Sequence, residues 1–134
     1  MSDWIWVDLS VAHAAHGEQL AEHGGGVGLR DGGLLESALA RPRHIVTYRD
    51  PDAAELAAAY AFGIARNHPF VDGNKRTALV VCETFLGLNG LRLDSTDAEL
   101  VVLFQALAAG ELDEEELADW LRERIGRDPG GPIA

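Results

Sequence analysis

The residues best suited to chemistry lie between 67 and 78, where the chain reads Asn-His-Pro-Phe-Val-Asp-Gly-Asn-Lys-Arg-Thr-Ala. Pro69 disfavours helical backbone at His68, and Asp72 followed by Gly73 is typical of a cap that opens a helix. An imidazole, with an ordinary pKa of about 6.5, can accept a hydroxyl proton near neutral pH. The segment therefore places a candidate general base beside the start of a helix.

Lys75 and Arg76 fall in the first turn of that predicted helix. Cations there oppose the helix macrodipole, at a cost of roughly 0.3–1 kcal/mol each. Such a local conflict is expected where function overrides stability. Unpaired backbone N–H groups, an ammonium and a guanidinium together form a cradle for phosphates, and Asp72 could hold a Mg²⁺ ion bound to them.

Each of these residues also has a purely structural interpretation. Asp72 could be only a helix cap, Lys75 and Arg76 solvated surface charges, and His68 a loop residue bonded to backbone. Their occurrence together within nine residues favours the functional interpretation. The remaining histidines lack a comparable setting and are expected to be surface or packing residues: His13, His16, His23 and His44.

Apolar periodicity and start signals predict a succession of helices around this segment. The predicted helices run from Ser10 to about Glu22, from near Asp31 to before Pro42, onward from Asp52-x-x-Glu55, from Asp72 to Asn89-Gly90, and onward from Thr96-x-x-Glu99 and Asp113-x-x-Glu116. Residues 44–49 are β-branched and aromatic, and predict either a short strand or an extended loop. An unpaired strand there could recruit an extended peptide.

Length and composition restrict the class of protein. A chain of 134 residues is expected to form one domain, with residues 126–134, rich in Gly and Pro, as a flexible tail. Because the chain has 11 basic and 22 acidic side chains, a broad nucleic-acid contact is not expected.

The chain lacks an apolar run of the roughly 20 residues that span a membrane, and the start Met-Ser-Asp-Trp lacks a secretory pattern, so we expect a cytoplasmic protein. The single cysteine, Cys82, is expected to be buried and inert.

The acidic residues are concentrated between 94 and 119, where no Lys or Arg occurs. This part of the chain is either a solvated face or a docking surface for a basic partner.

The run from His68 to Arg76 closely resembles the signature of the Fic/Doc superfamily, His-Pro-Phe-x-(Asp/Glu)-Gly-Asn-(Gly/Lys)-Arg. Further segments resemble its death-on-curing (Doc) branch: Gly28-Leu29-Arg30-Asp31, residues 34–42 and Asn89-Gly90. The resemblance covers roughly residues 9–125 and implies an all-α, compact bundle of about six helices, with residues 1–125 as the catalytic domain. It also implies a small β flap at residues 43–50, which would align the target protein by strand addition.

The resemblance assigns a role to each residue of the motif. His68 would be the general base and Arg76 the catalytic arginine that clamps phosphates. Asp72 would be the Mg²⁺ ligand, and Gly73 and Asn74 would form the phosphate-cradling turn. Lys75 stands where nucleotidyl-transferring members have glycine and Doc-like kinases have lysine, so the resemblance favours transfer of a γ-phosphate. The donor would be ATP, or another nucleoside triphosphate, with Mg²⁺.

By this resemblance the chain is expected to be a toxin kinase that passes the γ-phosphate of ATP to a Thr or Ser hydroxyl of elongation factor Tu and so arrests translation. The internal inhibitory Ser/Thr-x-x-x-Glu-(Gly/Asn) run of many Fic proteins is absent from the sequence, so a Phd-like antitoxin is expected to inhibit it in trans. Gly73, where Doc proteins often have alanine, keeps transfer of AMP or UMP as an alternative. Two non-enzymatic interpretations also stay open: a non-catalytic module that binds antitoxin or nucleotide, and a simple phosphate- or metal-binding protein.

Overall fold

The computed structural model describes residues 3–127, which form six helices and two short strands. In chain order these elements are α1 (Leu9–His23), α2 (Gly32–Ile45), α3 (Ala53–Asn67), α4 (Asn74–Leu88), β1 (Leu91–Leu93), α5 (Asp97–Ala108), α6 (Glu114–Arg122) and β2 (Ile125–Arg127). The predicted all-α bundle of about six helices is confirmed.

Side-chain caps begin most of the helices at the residues that the sequence predicted. Asp31 and Asp52 each accept a hydrogen bond from a first-turn N–H group, of Leu34 and Glu55 respectively. Reciprocal capping boxes begin α5 and α6, where the pairs are Thr96 with Glu99 and Asp113 with Glu116. A cap of this kind stabilises a helix by about 1 kcal/mol, so these bounds are set locally.

Helix α3 lies at the centre of the bundle and packs against α2, α4, α5 and α6. It is buried on nearly every side, not only on the one face that its periodicity predicted. Its small residues allow this close approach: a Cβ atom added at Gly63 would lie only 3.0 Å from the Cβ and 3.1 Å from the Cα of Ala38 on α2. The α2–α3 contact is therefore close to backbone on both sides.

We expect Gly63→Ala to lower the free energy of unfolding by about 1–3 kcal/mol, because the added methyl group must push α2 away from α3. Gly17→Ala is the matched control, since a Cβ atom at this helical glycine meets nothing within 4 Å. It should raise the free energy of unfolding by about 0.5–1 kcal/mol. Urea denaturation measures both, and two shifts of the same sign would contradict the packing argument.

The strand predicted at residues 44–49 is wrong, and so is the helix end predicted before Pro42. Helix α2 continues through Pro42 to Ile45, and residues 46–49 form a turn. Both Pro42 and Ile45 are buried, in three- and four-residue steps that continue the apolar stripe of Leu35, Ala38 and Leu39. Burial of this helical stripe outweighs the lost hydrogen bond at Pro42 and the β propensity of the segment. The flap expected at residues 43–50 is therefore absent.

The small antiparallel sheet lies elsewhere and was not predicted. It pairs β1 with β2, with Leu91 opposite Arg127 and Leu93 opposite Ile125. Gly126 and Arg127, which the sequence analysis assigned to the tail, are thus part of the fold. Residues 128–134 of that tail lie outside the described residues.

The segment that precedes α1 covers the end of the bundle near the α4 C-terminus. The rings of Trp4 and Trp6 lie 5.9 and 6.0 Å from the ring of Phe85 on α4. The Val7 N–H group donates to the hydroxyl of Tyr60 at 2.9 Å, and burial raises the pKa of that tyrosine. This segment closes the core at that end.

Two further expectations concern the core and the membrane. Cys82 is fully buried, as predicted, and this burial strongly raises the pKa of its thiol, as expected for an inert cysteine. Among residues 3–127, every helix is too short or too polar to cross a lipid bilayer.

Candidate active site

The predicted site residues come together at one cavity of about 410 Å³, between the start of α4 and one face of α5. This volume is within the range of small-molecule sites. The cavity is lined by His68, Val71, Asp72, Gly73, Asn74, Lys75, Arg76, Leu79, Val101, Phe104 and Gln105. All six residues proposed from the sequence are among them.

His68 ends α3 in the left-handed backbone conformation, with φ 49° and ψ 57°. It is the only non-glycine residue with positive φ among residues 3–127. Pro69 disfavours right-handed helical backbone at this position, as expected, and the strained conformation is of a kind found at functional sites. The imidazole is exposed and receives no hydrogen bond from the described part of the chain, so it is free to meet a ligand.

Arg30 holds this strained corner from the other side. Its Nε atom donates to the His68 carbonyl at 2.6 Å, and its Nη2 atom donates to the Asn67 carbonyl at 2.7 Å. The Pro69 carbonyl also accepts the N–H groups of Arg30 and Asp31, at 2.7 and 2.9 Å. Sequence reasoning gave Arg30 no such role, because a side chain that bonds carbonyls 37 and 38 residues away leaves no local pattern.

No side chain within the described range 3–127 caps the start of helix α4. Its N-cap is Gly73, with φ 78° and ψ 16°, whereas the sequence predicted Asp72 as the cap. The Asp72 carboxylate instead accepts the N–H group of Gly73 at 2.9 Å. A Cβ atom at Gly73 would meet His16 only at an ordinary 3.7 Å, so glycine is required here by the left-handed backbone and not by space. The uncapped N–H groups of the first turn remain available to an anion.

Lys75 and Arg76 extend from this uncapped turn. Both side chains are exposed, and neither forms an ion pair with any residue between 3 and 127. By contrast, Arg41, Arg49 and Arg122 each pair with a carboxylate. Two cations that lack a partner in the described part of the chain, at the positive end of a helix, are suited to bind a polyphosphate.

Asn74 has a different role in this turn. Its side chain is only 8% exposed, and its amide bonds both backbone groups of Phe70: Oδ1 accepts the N–H group at 2.9 Å and Nδ2 donates to the carbonyl at 2.9 Å. These two bonds use the polar atoms of the amide to shape the turn. Asn74 could therefore bind a phosphate only through its backbone N–H group.

The donor atoms fit a magnesium ion that arrives with phosphates. Asp72 is exposed, and its second oxygen receives only a long contact of 3.4 Å from the Gly26 N–H group. Within residues 3–127 no three His, Cys, Asp or Glu side chains cluster into a cation site. Mg²⁺ typically takes one or two carboxylates and fills its other positions with water and phosphate oxygens. One carboxylate beside a phosphate cradle meets that need.

The glycine run that ends α1 sets the position of this carboxylate. A Cβ atom at Gly25 would lie 2.9 Å from the Asp72 Oδ2 atom. The sequence identified residues 24–26 only as a helix stop. The structure adds that the Asp72 side chain rests against this loop.

We expect Gly25→Ala to displace the Asp72 carboxylate and to weaken the binding of Mg²⁺ with nucleotide by roughly tenfold, which is typical when a neighbour that orients a metal ligand is changed. Gly24→Ala is the matched control, since Gly24 also has positive φ, at 74°, but a Cβ atom there meets nothing within 4 Å. Both changes strain the backbone and should lower the free energy of unfolding by about 1–3 kcal/mol. Calorimetric titration distinguishes them, and equal affinities in the two variants would contradict the expectation.

The far wall of the cavity comes from α5 and was not predicted. Val101, Phe104 and Gln105 line it, and Val101 is 51% exposed although it is apolar. One signal in the sequence could have indicated this wall: α5 has more apolar residues than its core-facing stripe needs. This wall offers an apolar surface opposite the cations.

These features define a helical protein in which an exposed histidine and two exposed cations line one cavity at the start of a helix. Comparison with known proteins specifies it further. The chain belongs to the Fic/Doc family, because the model of the Fic/DOC family matches residues 6–86. The chain is 36% identical over 114 residues to the Protein kinase doc of Escherichia phage P1, a match that covers 84% of this chain and 90% of the phage protein. It is 49% identical over 72 residues to the Toxin Doc of Mycolicibacterium smegmatis, which covers 52% of this chain and 55% of that protein.

Proposed function

We propose that this protein is the toxin of a bacterial type II toxin–antitoxin pair, and that it transfers the γ-phosphate of ATP to a Thr or Ser hydroxyl of a translation factor, elongation factor Tu. The observation that carries the proposal is the start of α4, where Lys75 and Arg76 line the same cavity as the imidazole of His68. Among residues 3–127, no side chain caps this helix start and no carboxylate pairs with either cation. The names of the two relatives, a protein kinase and a toxin, support the same reaction and role.

The proposed reaction is a direct phosphoryl transfer. Arg76 and the N–H groups of the α4 first turn bind the phosphates, Lys75 offsets their charge, and Asp72 binds the magnesium ion that accompanies the nucleotide. The hydroxyl of the target gives its proton to the His68 imidazole as its oxygen bonds the γ-phosphorus. The bond between that phosphorus and the β–γ bridging oxygen breaks, and ADP leaves with the electron pair. The chain contributes mainly positioning and charge stabilisation.

The direct test is to incubate the purified protein with elongation factor Tu, Mg²⁺ and ATP and to weigh the product by mass spectrometry. The proposal expects the mass of one phosphate added to the factor, and far less addition with the His68→Asn variant in the same time. An added nucleotide would instead indicate nucleotidyl transfer. An unchanged mass would contradict elongation factor Tu as the target.

The toxin role has its own test in cells. Expression of the chain without a partner should arrest growth, and co-expression of its antitoxin should restore it. Since ATP and translation factors are cytoplasmic, we place this activity in the cytoplasm. Normal growth on partner-free expression of active protein would contradict the toxin role even if the kinase reaction were found in vitro.

A further inference from the structure

His16 is the buried histidine of the molecule, although its sequence gave no reason to separate it from the others. It lies on α1 and is 6% exposed. Its Nε2 atom is 2.9 Å from the backbone oxygen of Asp72. His16 therefore contacts the turn that carries Asp72, the candidate magnesium ligand.

The contact assigns the proton on the imidazole. A backbone carbonyl oxygen can only accept a hydrogen bond, so the Nε2 atom of His16 must carry the hydrogen. The plane of the ring is fixed as well, because it stacks on Phe70 with the centroids 3.8 Å apart and the planes only 8° from parallel. The donor direction of His16 is thus determined by packing.

The residues around His16 form a closed set of contacts. Phe70 is 1% exposed, and Asn74 bonds its backbone on both sides. Phe70 in turn stacks on His16, which bonds Asp72. The backbone from Phe70 to Asn74 is therefore folded around one imidazole, and α1 holds the turn from a distance of 56 residues along the chain.

We propose that His16 is a positioning residue, whose Nε2–H group holds the Asp72 carbonyl and so orients the Asp72 carboxylate for magnesium. This inference rests on the proposed function for the identity of the ligand, Mg²⁺ with ATP. It differs from the proposed reaction in that His16 does not line the cavity. Its action on the site passes through the backbone of Asp72.

Two substitutions separate the hydrogen bond from the packing. His16→Phe keeps a flat ring that can stack on Phe70 but removes the donor. His16→Gln loses the ring but carries an N–H group the same number of bonds from the Cα atom. ATP binding is measured by calorimetry with the full chain, once with Mg²⁺ and once with EDTA.

The expected loss is specific to magnesium. His16→Phe should weaken the binding of ATP with Mg²⁺ by roughly tenfold, as changes to neighbours of metal ligands do. Binding of ATP in EDTA should stay the same, because Lys75 and Arg76 are untouched. His16→Gln should stay within about threefold of the parent under both conditions. A loss in EDTA as large as in Mg²⁺, or a Gln variant as weak as the Phe variant, would overturn the proposal.

The unaltered protein provides a second test, which remains decisive if the Phe variant does not fold. Long-range ¹H–¹⁵N spectra distinguish the two neutral imidazole tautomers, and we expect His16 to be the Nε2–H form. A proton only on Nδ1 of His16 in the parent protein would overturn the proposal. Neither measurement depends on turnover, so a missing product would refute the kinase reaction and leave this inference standing.

Discussion

Replacing His68 by asparagine should lower the rate of target modification by about 10²–10⁴-fold, the usual contribution of a general base. Asparagine is chosen because it tolerates the left-handed backbone of this residue better than most side chains do. The imidazole of His68 forms no hydrogen bond within residues 3–127, so its removal leaves no buried partner unsatisfied. We therefore expect the free energy of unfolding to change by less than about 1 kcal/mol.

His44→Asn is the control for this variant, since His44 is also exposed but lies outside the cavity. It should retain the activity of the parent. Rates are compared from the mass-resolved product under saturating ATP, and folding is compared by thermal unfolding. A His68→Asn protein that is folded and fully active would remove the proposed general base from the mechanism.

Arg76→Gln should make the protein slightly more stable and nearly inactive. The guanidinium lies in the first turn of α4, where a cation costs roughly 0.3–1 kcal/mol, so its removal should raise the free energy of unfolding by that amount. An arginine that stabilises phosphate charge in the transition state contributes at least about 10³-fold to the rate. Opposite changes in stability and activity are the signature of a residue kept for function.

The control is Arg92→Gln, because Arg92 is exposed on β1 and, among residues 3–127, pairs only with Asp94, at 3.1 Å. Neither its activity nor its stability should change by more than a small amount. Urea denaturation and initial rates test both variants. A drop in stability for Arg76→Gln would mean that this arginine supports the fold.

Local signals in the sequence were sufficient for most helix bounds and for the core of the site. Capping residues such as Asp52, Thr96 and Asp113 act on their own first turns, so their effect can be read from spacing alone. The motif residues from 68 to 76 are likewise close in sequence, and one turn brings them to one cavity. Their chemical roles remain predictions.

The supports of the site could not be predicted, because they act across the chain. The side chains of Arg30 and His16 bond backbone carbonyls near the site, and Gly25 leaves room for the Asp72 carboxylate. No periodic pattern in the sequence indicates contacts of this kind. The sheet of β1 and β2 likewise joins segments more than thirty residues apart. The error at residues 44–49 had the opposite origin, since β propensity was given more weight than the helical stripe that ends at Ile45.

The placement of the tryptophans makes their emission a selective optical reporter. All three lie outside the candidate site: Trp4 and Trp6 against Phe85, and Trp120 on α6 beneath the Arg124 guanidinium at 4.0 Å. Fluorescence should therefore follow unfolding of the bundle while staying insensitive to nucleotide. Ligand-induced stabilisation can thus be read from the same emission signal without correction for quenching.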